Sequence, residues 1–387
     1  MDPLTNKPKV DWDPRSEDVL SNQIKAYDEM RNRCPVAYSD YLGWSLFRHE
    51  DVVRALDDHD TFSSAVSSHL SVPSGMDPPR HTAYRQLIER HFEPSRVEAF
   101  EPLCRVISAD LVSALERGQE IDLVTQLAQR FAVRIQCAFL GWPDSLHAPL
   151  LTWVRKNHEA TLARDTAAMA MIAHEFDGYI HDLLETRRQA GTAAPDDITT
   201  DLLRQRIDGR PLSEEEIVSI LRNWTVGELG TITACVGILA HYLAQNQRLQ
   251  CQLRQQPGLL PAAIDEILRL HAPLISNRRV TTRPVEIGGR RIAVGERVTL
   301  IWASANRDEA VFGDPDEFRI DRSLDDNLLY GRGIHVCPGA QLSRLELCVV
   351  MEELLKGTNE IAPVHGRQPV LAIYPASGFS TLPLRIE

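Results

Sequence analysis

The chain has 387 residues, 43% of them hydrophobic, and a formal net charge of −12. Its size allows a large core, and its acidic balance argues against a general nucleic-acid binder. The first twenty residues carry eight charged side chains and no apolar run, so we expect no signal peptide and no membrane partner. Seven scattered cysteines without a Cys-x-x-Cys pair indicate neither a disulfide framework nor a zinc site. A cytoplasmic protein is expected.

The first half of the chain shows mostly helical periodicity. Helices are predicted at 19–31 and 49–57, then throughout 97–142 and 150–190, with a hairpin at 35–47 and a loop at 191–197. Residues 62–79 are rich in Ser, Pro and Gly, and so long a loop is more often functional than filler.

A polar pair opens the helix that follows this loop. Pro78 and Pro79 mark the helix start. His81 and Arg85 are four residues apart and therefore share one face. Two solvated side chains would be the simpler interpretation, but both residues can also hydrogen-bond carboxylates.

A long helix is predicted from about Glu214 to Leu243. Ser213 is a plausible N-cap, and Glu216 stands at the capping-box position. Gly227 and Gly230 lie in mid-helix, where each costs about 1 kcal/mol relative to Ala. Either close helix packing or a groove for a flat ligand would account for them.

The following region alternates between a helix and strands. Glu266 and Arg269 are three residues apart on a helix predicted at 261–271, so they can pair. Strands joined by a Gly-Gly turn are expected between 279 and 302, and Arg279 begins the first of them. A final hairpin is expected at 371–387, with its turn at 376–378.

Residues 330–339, with the sequence Tyr-Gly-Arg-Gly-Ile-His-Val-Cys-Pro-Gly, precede the last long helical segment. Gly331, Gly333 and Gly339 allow tight turns around Cys337, so that backbone N–H groups can point at its sulfur. A thiolate before a helix N-terminus is favoured by the helix dipole. Alone, such a cysteine would more often be a buried, inert thiol.

The spacing of this stretch resembles the haem-binding loop of the cytochrome P450 family. An aromatic residue lies seven positions before the cysteine, a glycine four before, a basic residue two before and a glycine two after. Tyr330 stands where the family usually has Phe. The His81 helix, the long helix, and Glu266 with Arg269 and Arg322 follow the family order. The resemblance implies the cytochrome P450 fold, mainly α with a minor β-sheet region, as a single haem domain over 1–387.

The resemblance also implies the contacts of haem b. Cys337 would be the thiolate ligand of the iron, and thiolate donation favours O–O cleavage. The predicted propionate ligands are His335, His81, Arg85 and Arg279. The further predicted haem contacts are Tyr330, Gly331, Gly339 and Gly227. Glu266, Arg269 and Arg322 would form a buried structural network.

Proton delivery departs from the family pattern, in which an acid directly precedes a threonine on the long helix. Thr231 stands at the threonine position, but Gly230 replaces the acid. Glu228 is the nearest carboxylate, about 200° around the helix from Gly230. The hypothesis is that Thr231 and ordered water deliver protons, and that Glu228 takes part only if the helix is locally distorted.

The implied function is a monooxygenase that inserts one atom of O₂ into a small hydrophobic or aromatic substrate. Gly-Glu-Leu-Gly-Thr at 227–231 resembles bacterial members acting on aromatic ethers and phenols, which suggests hydroxylation or oxidative O-demethylation. Electrons from NAD(P)H would arrive through a separate ferredoxin and ferredoxin reductase, docked near Arg332 and Arg344. A hydrogen-peroxide-driven peroxygenase and a non-catalytic haem sensor or carrier are the alternatives. The expected substrate walls lie at 62–75, 224–231, 274–277 and 377–381, including Phe379.

Overall fold

The computed structural model describes residues 8–372, 374 and 376–387, and helices dominate them. The helices are α1 (Glu17–Ser21), α2 (Gln23–Arg33), α3 (His49–Asp57), α4 (Arg80–Glu89), α5 (Pro94–Ser113), α6 (Gln129–Leu140), α7 (His147–Ala163), α8 (Thr166–Ala190), α9 (Ile198–Arg204), α10 (Glu214–Gln245), α11 (Gln247–Gln255), α12 (Leu260–His271), α13 (Trp302–Ala305), α14 (Glu309–Phe312) and α15 (Ala340–Gly357). The prediction of a mainly α fold with a minor β region is confirmed.

The strands form two small sheets and three hairpins. They are β1 (Val36–Ser39), β2 (Gly43–Leu46), β3 (Phe62–Ser63), β4 (Glu120–Asp122), β5 (Arg206–Ile207), β6 (Arg210–Pro211), β7 (Ser276–Thr281), β8 (Val285–Ile287), β9 (Arg290–Ile292), β10 (Arg297–Ile301), β11 (Ile361–Pro363), β12 (Val370–Leu371), β13 (Phe379–Thr381) and β14 (Pro383–Ile386). The larger sheet has the order β1-β2-β10-β7-β3, with β2 and β10 parallel. The smaller sheet has the order β11-β14-β4.

Three predicted helical segments are interrupted in the structure. The helix expected at 19–31 is divided at Asn22, whose side chain caps α2 by accepting from the Lys25 N–H. The segment 97–142 is broken because β4 leaves the helical region to pair with β14. The segment 150–190 is divided at Arg164, which adopts φ 55°, and Asp165 then caps α8. The cause in each case is a cap or a strand partner rather than a loss of apolar periodicity.

The C-terminal strand predictions are largely confirmed. Gly288 and Gly289 join β8 to β9, both with positive φ, which glycine adopts without steric cost. β12 pairs with β13 in the last hairpin, although positions 373 and 375 lie outside the described residues. The predicted loop at 62–79 begins with β3, which adds a fifth strand to the larger sheet.

The long helix α10 is continuous from Glu214 to Gln245 and crosses the main hydrophobic core. Its predicted capping box is present, since Ser213 and Glu216 bond each other's backbone N–H groups. The helix is long and apolar enough to span a membrane, but 56% of its apolar window is buried in the fold. Such burial is typical of a core helix, and the prediction of no membrane partner stays a prediction.

The predicted network of Glu266, Arg269 and Arg322 is present. Arg269 donates from Nε to Glu266 Oε2 at 2.7 Å and from Nη2 to Oε1 at 2.9 Å. Arg322 Nε donates to Glu266 Oε1 at 3.0 Å. The network ties α12 to the segment that follows α14, and that segment leads into the Cys337 loop.

Candidate active site

A cavity of about 360 Å³ lies between α10 and the loop that carries Cys337. From α10, its lining includes Trp224, Gly227, Glu228 and Thr231. The loop contributes residues 329–331, His335 and 337–339, and the segment before β7 adds Pro273 and Leu274. The cavity therefore joins the two stretches that the sequence singled out.

The loop before α15 turns through glycines, as predicted. Gly331 and Gly333 have φ of 75° and 69°. A Cβ on Gly333 would lie 2.7 Å from the Leu56 carbonyl oxygen, so both conformation and space favour glycine there. The Cys337 N–H donates to the Tyr330 carbonyl at 2.8 Å, which closes the loop.

The Cys337 thiol opens onto the cavity, directly before the N-terminus of α15. Its deep position raises the pKa of the thiol, while the Gly339 N–H, which points at the sulfur, acts in the opposite direction. A bound metal cation would outweigh burial and hold the sulfur as thiolate. The sequence predicted that backbone N–H groups point at this sulfur, and the Gly339 N–H does so.

The four predicted propionate ligands form a cluster at one edge of the cavity. The rings of His81 and His335 have centroids 4.3 Å apart. Arg85 Nη1 donates to the Val336 carbonyl at 2.6 Å, which ties α4 to the Cys337 loop. Arg279 is 5% exposed and donates to the Arg278 carbonyl at 2.8 Å. Three separate elements, α4, β7 and the loop, thus meet here.

The cluster contains two guanidinium groups and two imidazole rings; Arg85 pairs with Glu89 at 2.7 Å, but the two histidines are short of acceptors. The Nε2 atoms of His81 and His335 are buried without a hydrogen-bond partner in the described part of the chain. Burial lowers the pKa of His335 to about 3, and the charges of His81, Arg279 and Arg85 act in the same direction. Burial also lowers the pKa of Arg279 to about 10. Buried polar groups require partners, so this edge fits a ligand that carries carboxylates.

The wall of the cavity also fits a flat group. A Cβ added to Gly227 would meet no atom within 4 Å, so the backbone of α10 is open there. Tyr330 lines the cavity with the Arg344 guanidinium 4.4 Å from its ring centroid. With a thiol, cationic side chains and open backbone in one cavity, the residues present fit a haem and its two propionates.

The position of Glu228 differs from the prediction that it could take part only if the helix is locally distorted. Glu228 lines the cavity, although α10 is a regular helix without local distortion. Although Glu228 points away from the position of Gly230, it is three residues from Thr231 and therefore lies next to Thr231 on the same helix face. Both side chains face the cavity, so Glu228 stands close to the predicted proton route without any rearrangement.

Glu346 was missed by the sequence analysis. It lies on α15 and is 1% exposed, and neither of its carboxyl oxygens has a hydrogen-bond partner among the described residues. Burial and the neighbouring Glu228 carboxyl raise the pKa of Glu346 well above its usual range. The available signal was its place between Leu345 and Leu347, since a charged residue inside an apolar run is buried only where a partner or function requires it.

The substrate walls were predicted in part. Residues of 224–231 and 274–277 line the cavity, and the 62–75 loop contributes Pro73 and Ser74. Phe379 was expected as a wall but lies outside the cavity lining that the described residues form. Its ring packs against His241, with centroids 4.5 Å apart. The hairpin turn meets α10 near Ala234, one turn beyond Thr231.

Comparison with known proteins identifies relatives over most of the chain. The family model described as Cytochrome P450 matches residues 238–384. Cyclomarin C epoxidase CymV of Salinispora arenicola is 32% identical over 331 residues, which cover 82% of this chain and 84% of the relative. Linalool 8-monooxygenase of Pseudomonas putida is 30% identical over 371 residues, covering 88% and 91%. The ligand-free structure of cytochrome P450 TbtJ1 matches with a TM-score of 0.85 and 31% identity, covering 95% and 98%.

These relatives confirm the predicted fold and enzyme class, while the individual site residues remain predictions. The family uses haem iron, O₂ and electrons from NAD(P)H that pass through redox partners. The relatives act on diverse substrates and give no support to an aromatic ether or phenol subgroup. The chain belongs to the cytochrome P450 family of haem-dependent monooxygenases.

Proposed function

We propose that this chain inserts one atom of O₂ into a small, largely apolar substrate within the cavity between α10 and the Cys337 loop. The observation that carries the proposal is the shared cavity, in which the Cys337 thiol and Thr231 both open onto the same space. Haem b, when bound, supplies the O–O cleavage and oxygen transfer, with thiolate donation from the protein. The chain itself supplies binding, orientation and protons.

Each predicted residue has a role in this proposal. Cys337 holds the metal, and the propionates are held by His81, His335, Arg85 and Arg279. Tyr330, Gly331, Gly339 and Gly227 form the surfaces against the flat group. Thr231 places a hydroxyl in the cavity, where it orders water and hands on protons. Residues 1–387 are proposed as one haem domain, which is supported by a core cluster extending from Val72 to Ile386. A cytoplasmic location is also proposed.

The substrate proposal is a small neutral aromatic compound, with hydroxylation or oxidative O-demethylation as the reaction. Its support is an apolar wall that contains Trp224 and Leu274, together with the amide of Asn277 as a polar anchor. The ring of Trp224 is fixed by Phe92, with centroids 5.2 Å apart. Aromatic walls of this kind favour stacked or edge-on rings.

The substrate class is tested by optical titration of the ferric haem protein with methoxyphenols, methoxybenzoates, fatty acids and terpenes. We expect a low-to-high-spin shift with the methoxyaromatics, because a bound ring fills the cavity and displaces water. Leu274→Phe should weaken that ligand about tenfold by filling the cavity, whereas Phe379→Leu, outside the cavity lining, should not. A shift only with fatty acids or terpenes would contradict the aromatic proposal and leave the monooxygenase assignment intact.

A ferredoxin and its reductase are the proposed electron donors, with Arg332 and Arg344 on the docking surface. The structure adds a constraint, since both cations are already paired. Arg332 Nε lies 3.0 Å from Asp57, and Arg344 Nε lies 3.0 Å from Asp265. Both guanidinium groups are still partly exposed, so each remains available to an acidic partner at reduced effective charge.

If ferredoxin docks at this surface, substitutions of Arg332 and of its partner Asp57 should change the apparent KM for ferredoxin in opposite directions. Arg332→Ala should raise the apparent KM for a surrogate [2Fe–2S] ferredoxin about threefold, and Asp57→Ala should lower it, because surface charge steers association. Both effects should fade as salt is raised. Reduction rates at two ionic strengths measure this, and rates independent of salt and of both substitutions would contradict the docking proposal.

A peroxygenase is the second candidate, because Gly230 occupies the position of the usual acid. Substrate turnover with hydrogen peroxide that exceeds turnover with ferredoxin, reductase and NADPH would favour it. Failure to consume any substrate by either route would favour the non-catalytic sensor or carrier.

A further inference from the structure

We propose that Asn223 and Asn277 determine substrate specificity by presenting opposite hydrogen-bonding groups to the cavity, Asn223 an acceptor and Asn277 a donor. The substrate then carries a hydroxyl or N–H group toward Asn223 and an acceptor oxygen toward Asn277. This inference rests on the proposed function, since it names the polar groups of the substrate that the same cavity takes. It also gives a role to Asn223, which the sequence analysis missed.

The amide nitrogen of Asn223 is committed to the protein. Asn223 lies on α10 and lines the cavity. Its Nδ2 donates to the Ser71 hydroxyl and to the Val72 carbonyl, each at 3.1 Å. Because a carbonyl oxygen only accepts hydrogen bonds, the atom that faces Val72 must be the nitrogen, and the orientation of the amide is fixed. Both N–H groups of this amide are thus used by the loop that precedes Pro73.

The amide oxygen of Asn223 is the group left for a ligand. No donor in the described part of the chain reaches its Oδ1. The side chain is half-buried, and this oxygen is not among the enclosed polar atoms of the described residues, so it opens onto the cavity. An open carbonyl oxygen accepts from a hydroxyl or an N–H group. A ligand that displaces water and brings neither group leaves it unsatisfied, which weakens binding.

The amide of Asn277 has the opposite polarity. Asn277 is the second residue of β7 and also lines the cavity. Its Oδ1 accepts from the Arg278 N–H at 2.7 Å. A backbone N–H only donates, so the contacting atom must be the oxygen. The NH₂ group of Asn277 donates to no group among the residues that the structure describes, and it is available to an oxygen of a ligand.

The position of Asn223 separates the anchored end of the substrate from the reacting end. Asn223, Gly227 and Thr231 are spaced four residues apart, so they share one face of α10. Eight residues of helix place Asn223 about 12 Å along the axis from Thr231. A substrate held at Asn223 by its hydroxyl therefore presents another part of the molecule near Thr231, and that part is oxidised.

Ser219 provides a structural comparison for Asn223. It holds the same loop, because its Oγ donates to the Leu70 carbonyl at 3.0 Å and accepts from the Val72 N–H at 2.9 Å. Ser219 is 1% exposed and lies outside the cavity lining that the described residues form. Ser219→Ala therefore loosens the loop without changing the polar groups that face a ligand.

Matched ligands test the two polarities by optical titration of the ferric haem protein. p-Methoxyphenol carries a donor and an acceptor, p-dimethoxybenzene lacks the donor, and p-ethylphenol lacks the acceptor. A terpene alcohol and its methyl ether form a second pair for the donor. The preference is the ratio of two dissociation constants measured on one variant, so that any change that weakens both ligands equally cancels.

Asn223→Leu keeps the size of the side chain and should lower the preference for p-methoxyphenol over p-dimethoxybenzene about fivefold, the value of one net hydrogen bond. Asn223→Asp should keep that preference, because a carboxylate oxygen still accepts although it cannot donate to the Val72 carbonyl. Ser219→Ala should keep it as well. An unchanged preference in Asn223→Leu, or an equal loss in Ser219→Ala, would overturn the role of Asn223.

Asn277→Leu should lower the preference for p-methoxyphenol over p-ethylphenol about fivefold and leave the first preference unchanged. The competing acceptor is a haem propionate, since Asn277 and Arg279 are two residues apart on β7 and share a strand face. In that case Asn277→Leu would reduce haem content and leave both preferences unchanged, which would overturn the donor assignment.

The terpene pair separates this inference from the proposed aromatic substrate. Binding of the terpenes alone, with a preference for the alcohol that Asn223→Leu removes, would contradict the aromatic proposal and support the inference. Turnover by a wild type whose preferences are the same in the Asn223 variants would overturn the inference alone. A wild type that neither binds nor consumes any of these ligands would overturn the proposed function, and the inference with it.

Discussion

Cys337→Ser is expected to abolish the thiolate signature in the reduced carbon-monoxide difference spectrum of the haem protein. Serine keeps the size of the side chain but lacks a sulfur that can ionise and donate to iron near neutral pH. Ferredoxin-driven turnover should fall about a thousandfold or more, the scale seen when an essential group is removed. Haem should still bind in part, because the His81, Arg85, Arg279 and His335 cluster is untouched.

Cys235 provides a matched control for this experiment. It also lines the cavity, but it lies inside α10, whereas Cys337 lies in the loop before the N-terminus of α15. Burial raises the pKa of the Cys235 thiol, as it does for Cys337, so the position of each sulfur and not its burial distinguishes the two cysteines. Cys235→Ser should therefore retain the thiolate spectrum. If Cys235→Ser lost that spectrum and Cys337→Ser retained it, the ligand assignment would be wrong.

The features that could be predicted from the sequence depend on short-range patterns. The glycine turns around Cys337 and the Ser213–Glu216 capping box follow from local backbone requirements. The pairing of Glu266 with Arg269 follows from a three-residue helical spacing. Each constraint is complete within about ten residues, so the pattern alone carries it. The order of these patterns along the chain resembles that of the cytochrome P450 family, and that resemblance implied the fold.

The features that escaped prediction depend on packing between distant segments. In the sequence, Glu346 has the pattern of an ordinary helical glutamate. Only the packing of α15 against the core places it beside Glu228, which is 118 positions earlier in the numbering. Phe379 was placed by resemblance in the substrate cavity, whereas its hairpin turns toward His241. The break at β4 likewise depends on β14, a partner about 260 residues away.

Arg269→Ala should destabilise the protein by about 3–5 kcal/mol, the usual cost of leaving a buried charge without its partner. Arg269 is fully buried, and besides Glu266 it serves the Asn306 and Pro315 carbonyls at 2.7 and 2.9 Å. The substitution therefore removes the donor to Glu266 Oε2 and to two carbonyl oxygens, while Glu266 Oε1 keeps its bond from Arg322. Urea unfolding midpoints and haem content per chain measure the effect. Arg155→Ala, which breaks an exposed pair with Glu159, should cost at most about 0.5 kcal/mol.

The geometry also ranks the three members of the network. Glu266 serves both Arg269 and Arg322, so Glu266→Gln leaves two cations without a carboxylate and should cost at least as much as Arg269→Ala. Arg322→Ala should cost least, because the Arg322 side chain is 10% exposed and Glu266 keeps both of its bonds to Arg269. Because Arg322 leads toward the Cys337 loop, haem content should follow the same order as the unfolding midpoints. Equal midpoints for all three variants, or normal haem content in Arg269→Ala, would show that the network does not hold the loop in place.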